Sequence, residues 1–284
     1  MTPARDPVSP PVALAIAGSD AGGGAGIQAD LKAMTAHGVF GASVVTATTA
    51  QNTRGVRDVH AVPSAHVASQ CDAVFDDFDV GAVKTGMLAT AETVETVTGV
   101  VEGGEAPLVV DPVMVAASGD RLLSPDAEAA YEELIGAATL VTPNADEAEV
   151  LVDAPVETPT DAERAGRELV ATGADAALVK GGHIGDGARV TDTLVIGPDG
   201  GGDGTVDPDS TTARRFENPR VATDATHGSG CALSSAIAAR LARGEPLTTA
   251  VADAVDRMGA AIRRGYDVGT GPGAVNPTAF DGGS

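Results

Sequence analysis

The chain has 284 residues, 43% of them hydrophobic, and 40 acidic against 18 basic side chains give a formal net charge of −22. A surface this negative repels nucleic acid and anionic lipid, and the ordinary apolar content excludes a disordered chain. Cys71 and Cys231 are too few for a disulfide framework, and the polar, proline-rich stretch 1–11 holds no apolar run of signal-peptide or membrane-spanning length. The expectation is a soluble cytoplasmic protein with no nucleic-acid and no membrane partner.

In chain order, Val12–Ala17 reads as a β-strand and Gly26–His37 as a helix with Ile27, Leu31 and Met34 at helical spacing. The β-branched run Val44–Ala50 is a second strand, Ser64 caps a helix through Phe78, and Gly81–Thr85 is a short buried strand. A helix over Ala91–Val101 and the continuous apolar strand Pro107–Val113 follow. Ser124-Pro125, a cap with proline at the first helical position, opens a helix to Gly136. Thr139–Thr142 is a strand, helices start at Asn144 and span Thr160–Thr172, and Ala176–Lys180 is a strand ending in Gly181-Gly182. Thr191–Gly197 and Arg214–Val221 form a late hairpin, whose Gly- and Asp-rich connection Pro198–Thr212 predicts a surface loop. Helices Ser229–Arg243 and Thr248–Gly265 close the chain. Continuous apolar strands alternating with helices predict an α/β fold with a mainly parallel sheet covered on both faces. The pattern is one domain over residues 12–277, with tails at 1–11 and 278–284.

Only Lys32, Lys84 and Lys180 among the 18 basic residues are lysines. Self-repulsion at −22 is tolerable where salt is molar and the Debye length falls to about 3 Å, so the composition points to a halophilic setting. An acidic protein from ordinary salt is the alternative. A lysine retained on such a surface is expected to have a partner. Lys180, at a strand end, suits a phosphate; Lys84 is the weaker case, and Lys32 reads equally as a helix-surface lysine.

The segment Ala17–Asp30 (AGSDAGGGAGIQAD) follows the first strand, where glycines let the backbone approach a ligand at a helix start. It lacks the Gly-Lys-Ser/Thr of a phosphate-binding P-loop and the spacing of a dinucleotide fingerprint. A plain glycine-rich turn fits equally. Asp224-Ala-Thr-His-Gly-Ser-Gly-Cys231 runs straight into a helix of small residues. Its N–H groups at 228–231 would face outward at the positive helix end, a nest for charge developing on a transferring phosphate. The same dipole favours a Cys231 thiolate; a small buried residue at a tight helix start is the other reading. Asn144-Ala-Asp-Glu147 is either a capping box or a carboxylate near metal and phosphate. Asp111 ends the most hydrophobic strand, where ligands sit in parallel sheets, or simply makes a turn before Pro112. Gln51, in Gln51-Asn-Thr-Arg-Gly55, carries an amide that donates and accepts side by side and suits an aminopyrimidine edge, or is an unremarkable glutamine in a turn. The histidines at 37, 60, 66, 183 and 227 show no metal-ligand spacing.

Together AGSDAGGGAGIQADLK (17–32), TAQNTRGV (49–56), VKTGML (83–88), DPVMVAASG (111–119), LVTPNADEA (140–148), VKGGH (179–183) and ATHGSGC (225–231) resemble one family. It is the hydroxymethylpyrimidine and phosphomethylpyrimidine kinases of thiamine biosynthesis, within the ribokinase-like superfamily. The resemblance runs from about Val12 past Cys231. Ala21 and Ser229 depart from the residues the family commonly holds, and the 198–212 connection is longer than expected.

The resemblance implies a ribokinase-like fold and two ATP-dependent steps, phosphorylation of a 5-hydroxymethyl group and then of the resulting monophosphate. It implies a pyrimidine pocket of Gln51, Asp30, Gly18, Met87 and Val113, and Cys231 at the catalytic-base position with Gly228 and Gly230 as anion hole. Lys180 would contact ATP phosphates, with Asn144 and Thr226 on the nucleotide side, and Asp111 and Glu147 would act around Mg2+. A homodimer is implied in the same way. Two rivals stand beside this reading: a pyridoxal or pyridoxine kinase, and a non-catalytic pyrimidine-binding sensor.

Overall fold

The computed structural model describes residues 8–114, 125–185, 187–198 and 210–281. The first seven residues, residues 115–119 of the DPVMVAASG motif, Ser124, most of the 198–212 connection and the last three residues lie outside them.

β1 (Val12–Ser19) is buried along most of its length because strands flank it and helices cover both its faces. α1 (Gly26–Ala36) follows, then a long β2 (Phe40–Asn52) that turns directly into β3 (Gly55–Ala61). β3 was not expected. Its outward residues Arg57, Asp58 and His60 are polar and exposed, so antiparallel backbone pairing to β2, and no apolar periodicity, holds it at the sheet edge.

α2 (Ser64–Phe75), β4 (Val80–Thr85) and α3 (Ala91–Val101) come next. Ser64 does not cap α2. Pro63 holds the cap position, and the Ser64 hydroxyl donates instead to Glu92 Oε1 at 2.6 Å. β5 is only Leu108–Val110, shorter than the apolar run, because Pro112 cannot extend the ladder. α4 (Pro125–Gly136), β6 (Leu140–Val141), α5 (Ala145–Val152), α6 (Pro159–Ala171) and β7 (Ala176–Val179) continue the alternation. β8 (Arg189–Ile196) and β9 (Thr212–Pro219) form the late hairpin, and α7 (Ser229–Ala242) and α8 (Leu247–Arg263) close the fold.

The nine strands form one sheet in the order β3-β2-β1-β4-β5-β6-β7-β8-β9. The strands from β2 to β7 in that order pair in parallel, while the pairs at the edges, β3 to β2, β8 to β7 and β9 to β8, are antiparallel. Alternation across the pleat explains the continuous apolar strands. Val109, Leu140 and Leu178 pack with Ile237 of α7 and Val251 of α8, whereas Val110, Val141 and Ala177 pack with Val97, Leu134 and Leu169 of α3, α4 and α6. Among the described residues no helix is long and apolar enough to cross a membrane. The parallel arrangement brings the carboxyl ends of β1, β4, β5, β6 and β7 to one edge of the sheet.

Candidate active site

Asp111, Asn144 and Lys180 leave the adjacent ends of β5, β6 and β7. Lys180 Nζ lies 2.9 Å from Asp111 Oδ1 and 3.9 Å from Glu147 Oε2. The capping-box reading of the Asn144–Glu147 segment is realised. Asn144 Oδ1 accepts the Glu147 N–H and Glu147 Oε2 accepts the Asn144 N–H, each at 2.8 Å, so the capping box delivers the carboxylate to Lys180. Burial and the neighbouring Asp111 push the Glu147 carboxyl above its usual range, against the pull of Lys180. Burial alone would lower the Lys180 ammonium, but Asp111 and Glu147 outweigh it and hold it above its ordinary value.

The first turn of α7 abuts this cluster. A Cβ on Gly230 would sit 3.0 Å from Lys180 Nζ, so glycine is what lets the lysine lie against the turn. Ser234 ties the two together: it donates to Gly230 O at 3.0 Å and shares a 2.8 Å hydrogen bond with Thr142, beside Asp111. Gly228 has φ +77° and no room for a side chain against the Gly24 carbonyl. The Ser229 N–H is taken by Thr226 O, while those of Gly228, Gly230 and Cys231 have no partner outside the helix among the described residues. Thr226 itself is exposed.

The expected Cys231 thiolate is corrected. Burial pushes the thiol up to about 12, Asp30 and Asp111 add to that, and the pull of Lys84 does not offset them.

On the acceptor side, the glycine-rich loop proves to be filled by its own aspartate. Asp20 accepts the N–H groups of Gly22, Gly24 and Ala25 at 2.8, 3.0 and 2.8 Å, so these donors are not free to cradle a ligand. Lys32 Nζ donates to Gly23 O at 2.7 Å from the other side. Gly18 packs on the Met87 methyl and donates its N–H to Met87 O at 3.1 Å. Gln51 stands at the tip of β2, where Thr49 donates to its Oε1 at 3.2 Å and also to Ser19 O at 2.8 Å. Asp30 is fully buried, bound through Oδ1 to Lys84 Nζ at 2.9 Å and to Ser235 at 2.7 Å. Its Oδ2 is buried with no donor. Val113 folds back after Asp111, its N–H on the Asp111 carbonyl at 2.8 Å.

Asp20, Lys84 and His227 carry this architecture, and the sequence marked none of them as a site residue. Asp192, which accepts the Gly181 N–H at 2.8 Å beside Lys180, was missed as well. Asp20 sat in a segment noted only for its glycines, and Lys84 had scarcity as its one signal. A cleft of about 490 Å³ lies elsewhere, beyond the end of α1. Its Arg240, Arg243 and Arg257 are already bound to Glu245 and Asp253, to His37 O and to Phe280 O respectively, and it takes no part in the site.

Among the described residues no three His, Cys, Asp or Glu side chains gather into a metal cluster. Two carboxylates, Asp111 at the end of β5 and Glu147 in the first turn of α5, with phosphate and water completing the shell, are nevertheless the donor set Mg2+ ordinarily takes beside a nucleotide.

The sheet, its aligned strand ends and the glycine turn opening α7 define a small-molecule phosphotransferase of ribokinase-like architecture. The comparisons make this specific: the chain belongs to the phosphomethylpyrimidine kinase family, whose profile matches residues 20–276. It is 44% identical over 277 residues to a hydroxymethylpyrimidine/phosphomethylpyrimidine kinase of Streptomyces coelicolor, covering 97% of each chain. Among solved structures it resembles the phosphomethylpyrimidine kinase of Clostridium difficile 630 (36% identity, TM-score 0.74, 88% of this chain and 99% of that one). It also resembles the pyridoxal kinase of Bacillus subtilis solved as an ADP complex (30% identity, TM-score 0.84, 96% and 99%).

Proposed function

We propose that the chain transfers the γ-phosphoryl group of ATP to the hydroxymethyl oxygen of 4-amino-5-hydroxymethyl-2-methylpyrimidine, and then a second phosphoryl group to the monophosphate, in thiamine biosynthesis. The observation that carries this is the approach of Gly230 to Lys180 and Asp111, which sets the N–H groups of Gly228, Gly230 and Cys231, without a partner outside the helix among the described residues, against a lysine and two carboxylates. Phosphoryl transfer needs positioning and charge neutralisation more than covalent chemistry, and these groups supply both.

When bound, Mg2+ neutralises charge on the phosphate oxygens, and Asp111 and Glu147 are the residues that would hold it, through water. Lys180 contacts the phosphates, with Asn144 and Thr226 on the nucleotide side. The N–H groups of Gly228, Gly230 and Cys231 stabilise the oxygens of the group in flight. The acceptor oxygen forms its bond to phosphorus as the bond to ADP breaks, and its proton passes to Cys231. Cys231 is a thiol in the unliganded protein and takes that proton only once its own has left; Lys84 is the neighbouring cation that pulls towards the thiolate. Gln51, Gly18, Met87 and Val113 hold the pyrimidine. The donorless Oδ2 of Asp30 is an acceptor that the substrate's amino group would satisfy.

A second reading, pyridoxal phosphorylation, is favoured by the structural likeness to the pyridoxal kinase. ADP release with ATP and Mg2+ in molar KCl, offering the pyrimidine alcohol, its monophosphate and pyridoxal separately, tests both. Turnover of both pyrimidines is expected. Turnover of pyridoxal alone moves the substrate to vitamin B6, and silence with all three revives a binding sensor. The composition supports a salt-rich cytoplasm and the resemblance a homodimer, which sedimentation in molar KCl tests.

A further inference from the structure

We propose that His227 and Asp20 are a positioning pair that fixes the phosphate-binding turn of α7 at a set distance from the acceptor loop. His227 Nε2 lies 3.1 Å from Asp20 Oδ2, across 207 positions of sequence. An ionised carboxylate only accepts, so Nε2 carries the proton and donates. Asp20 is 3% exposed and gathers four donors on one carboxylate: Gly22, Gly24 and Ala25 from the loop, and His227 from the turn. The carboxylate shapes the acceptor loop and holds the turn at once.

Three contacts run in step along the two segments. His227 meets Asp20, Gly228 meets the Gly24 carbonyl, and Cys231 accepts the Gly26 N–H. A Cβ on Gly24 would lie 2.5 Å from His227 Cδ2, so loop and imidazole are in direct contact. The backbone of His227 is fixed independently, its N–H on Gly273 O at 3.2 Å and its carbonyl on the Val275 N–H at 3.0 Å. With the main chain anchored there, the side chain is free to serve as the strut between the segments. Neither His227 nor Asp20 stands among the groups assigned to phosphate, metal or pyrimidine. Their effect reaches the reaction through the spacing between Gly228–Cys231 and the acceptor, which rests on the phosphotransfer reading above.

The test compares His227→Ala, His227→Asn and His227→Gln in the full chain. Gln places an amide N–H near the position of Nε2, whereas Asn stops short of it. Misplacing reacting groups by about 1 Å costs about 10²-fold in rate, so His227→Ala and His227→Asn are expected to lose kcat on that scale. Their KM values for ATP and acceptor should stay within about threefold, because no ground-state contact is removed. His227→Gln should recover most of the loss, and ADP released per acceptor phosphorylated should rise above one in the alanine and asparagine variants and stay at one in His227→Gln. Pyridoxal replaces the pyrimidine if the protein prefers it, since the strut concerns spacing and not the acceptor's identity. Hydrogen exchange supplies a readout free of any substrate: the peptides over 20–26 and 228–232 should both exchange faster in His227→Ala and not in His227→Gln. Unchanged exchange at 228–232 in His227→Ala overturns the proposal whatever the activity. So does retained kcat in His227→Ala, or equal losses in the alanine and glutamine variants.

Discussion

Lys84 Nζ lies 2.9 Å from Asp30 Oδ1, and neither side chain reaches solvent. Burial opposes charge on both, yet Asp30, with Cys231 and Asp111 adding to it, holds the Lys84 ammonium protonated above its ordinary range. Removing one member of such a pair strands a buried charge, at a cost of about 3–5 kcal/mol, whereas replacing both by apolar groups of similar volume is often neutral. Lys84→Met is therefore expected to lower unfolding stability by that amount in a urea titration, and Lys84→Met with Asp30→Leu to restore most of it. A Lys84→Met protein as stable as its parent would show that the pair is not a buried charge pair in solution.

Cys231 and Cys71 are both held as thiols, pushed up by burial to about 12 and about 11. In the unliganded protein neither should alkylate at an appreciable rate below about pH 9, since only the thiolate is nucleophilic. Rapid modification of a Cys71→Ala protein by iodoacetamide at pH 7 would mean that Cys231 is already ionised. Whatever that outcome, Cys231→Ala should cut turnover by about 10²-fold or more if the sulfur takes the acceptor's proton. Near-normal turnover would leave it a packing residue.

The candidate residues that the sequence marks belong to contiguous motifs: Asp111 and Lys180 just past strand ends, Glu147 in the first turn of α5, and Gly230 and Cys231 in the first turn of α7. A run of apolar residues announces the strand, and the first polar residue after it announces the site. Asp20–His227 and Lys84–Asp30 left no such trace, because each is a pair between distant segments and neither partner signals the other. β3 was invisible for a related reason, its stability coming from backbone pairing that any polar sequence can make. The scarcity of lysine was the informative composition signal. Each of the three has a specific partner, Lys32 on Gly23 O, Lys84 on Asp30 and Lys180 on Asp111; Lys32 is exposed on α1, as the helix-surface reading has it, and from there also ties the glycine loop.

Glu147 predicts a trade between stability and function. Its carboxyl is raised in the folded state, so the fold binds that proton more tightly than the unfolded chain does. The stability this contributes is complete below the ordinary carboxylate range and is lost as pH climbs through the raised value. Glu147→Gln keeps an oxygen for the Asn144 N–H and removes the charge. In metal-free buffer it should match the parent near pH 5 and exceed it by about 1–2 kcal/mol at pH 8. Its turnover with MgATP should fall sharply. A variant less stable than its parent at both pH values would show that the charge stabilises the fold.

Gln51 makes one side-chain hydrogen bond among the described residues, from Thr49, so its removal disturbs little of the fold. If its amide pairs with the pyrimidine edge, Gln51→Ala forfeits two hydrogen bonds at roughly 1 kcal/mol each, and KM for the pyrimidine should rise by about tenfold or more. KM for ATP should not move. An equal rise in both would place Gln51 in the support of the site and not on its substrate.

Salt acts on this protein in two opposed ways, and the balance is calculable in sign. Exposed ion pairs such as Arg164–Glu168 and Arg189–Glu217 are each worth at most about 1 kcal/mol and weaken as salt screens them. Against them stands the mutual repulsion of a −22 surface, which the folded state concentrates and unfolding relieves. Raising KCl from about 0.1 M to about 1 M shortens the Debye length from about 10 Å to about 3 Å, screening that repulsion at most surface separations. The melting temperature should therefore rise with KCl, steeply at first and little beyond about 1 M. Potassium sulfate at equal ionic strength should add a further rise, because it strengthens apolar burial as well as screening charge. A melting temperature that is flat or falls with KCl would mean that local pairing, and not the excess of carboxylates, governs the surface electrostatics.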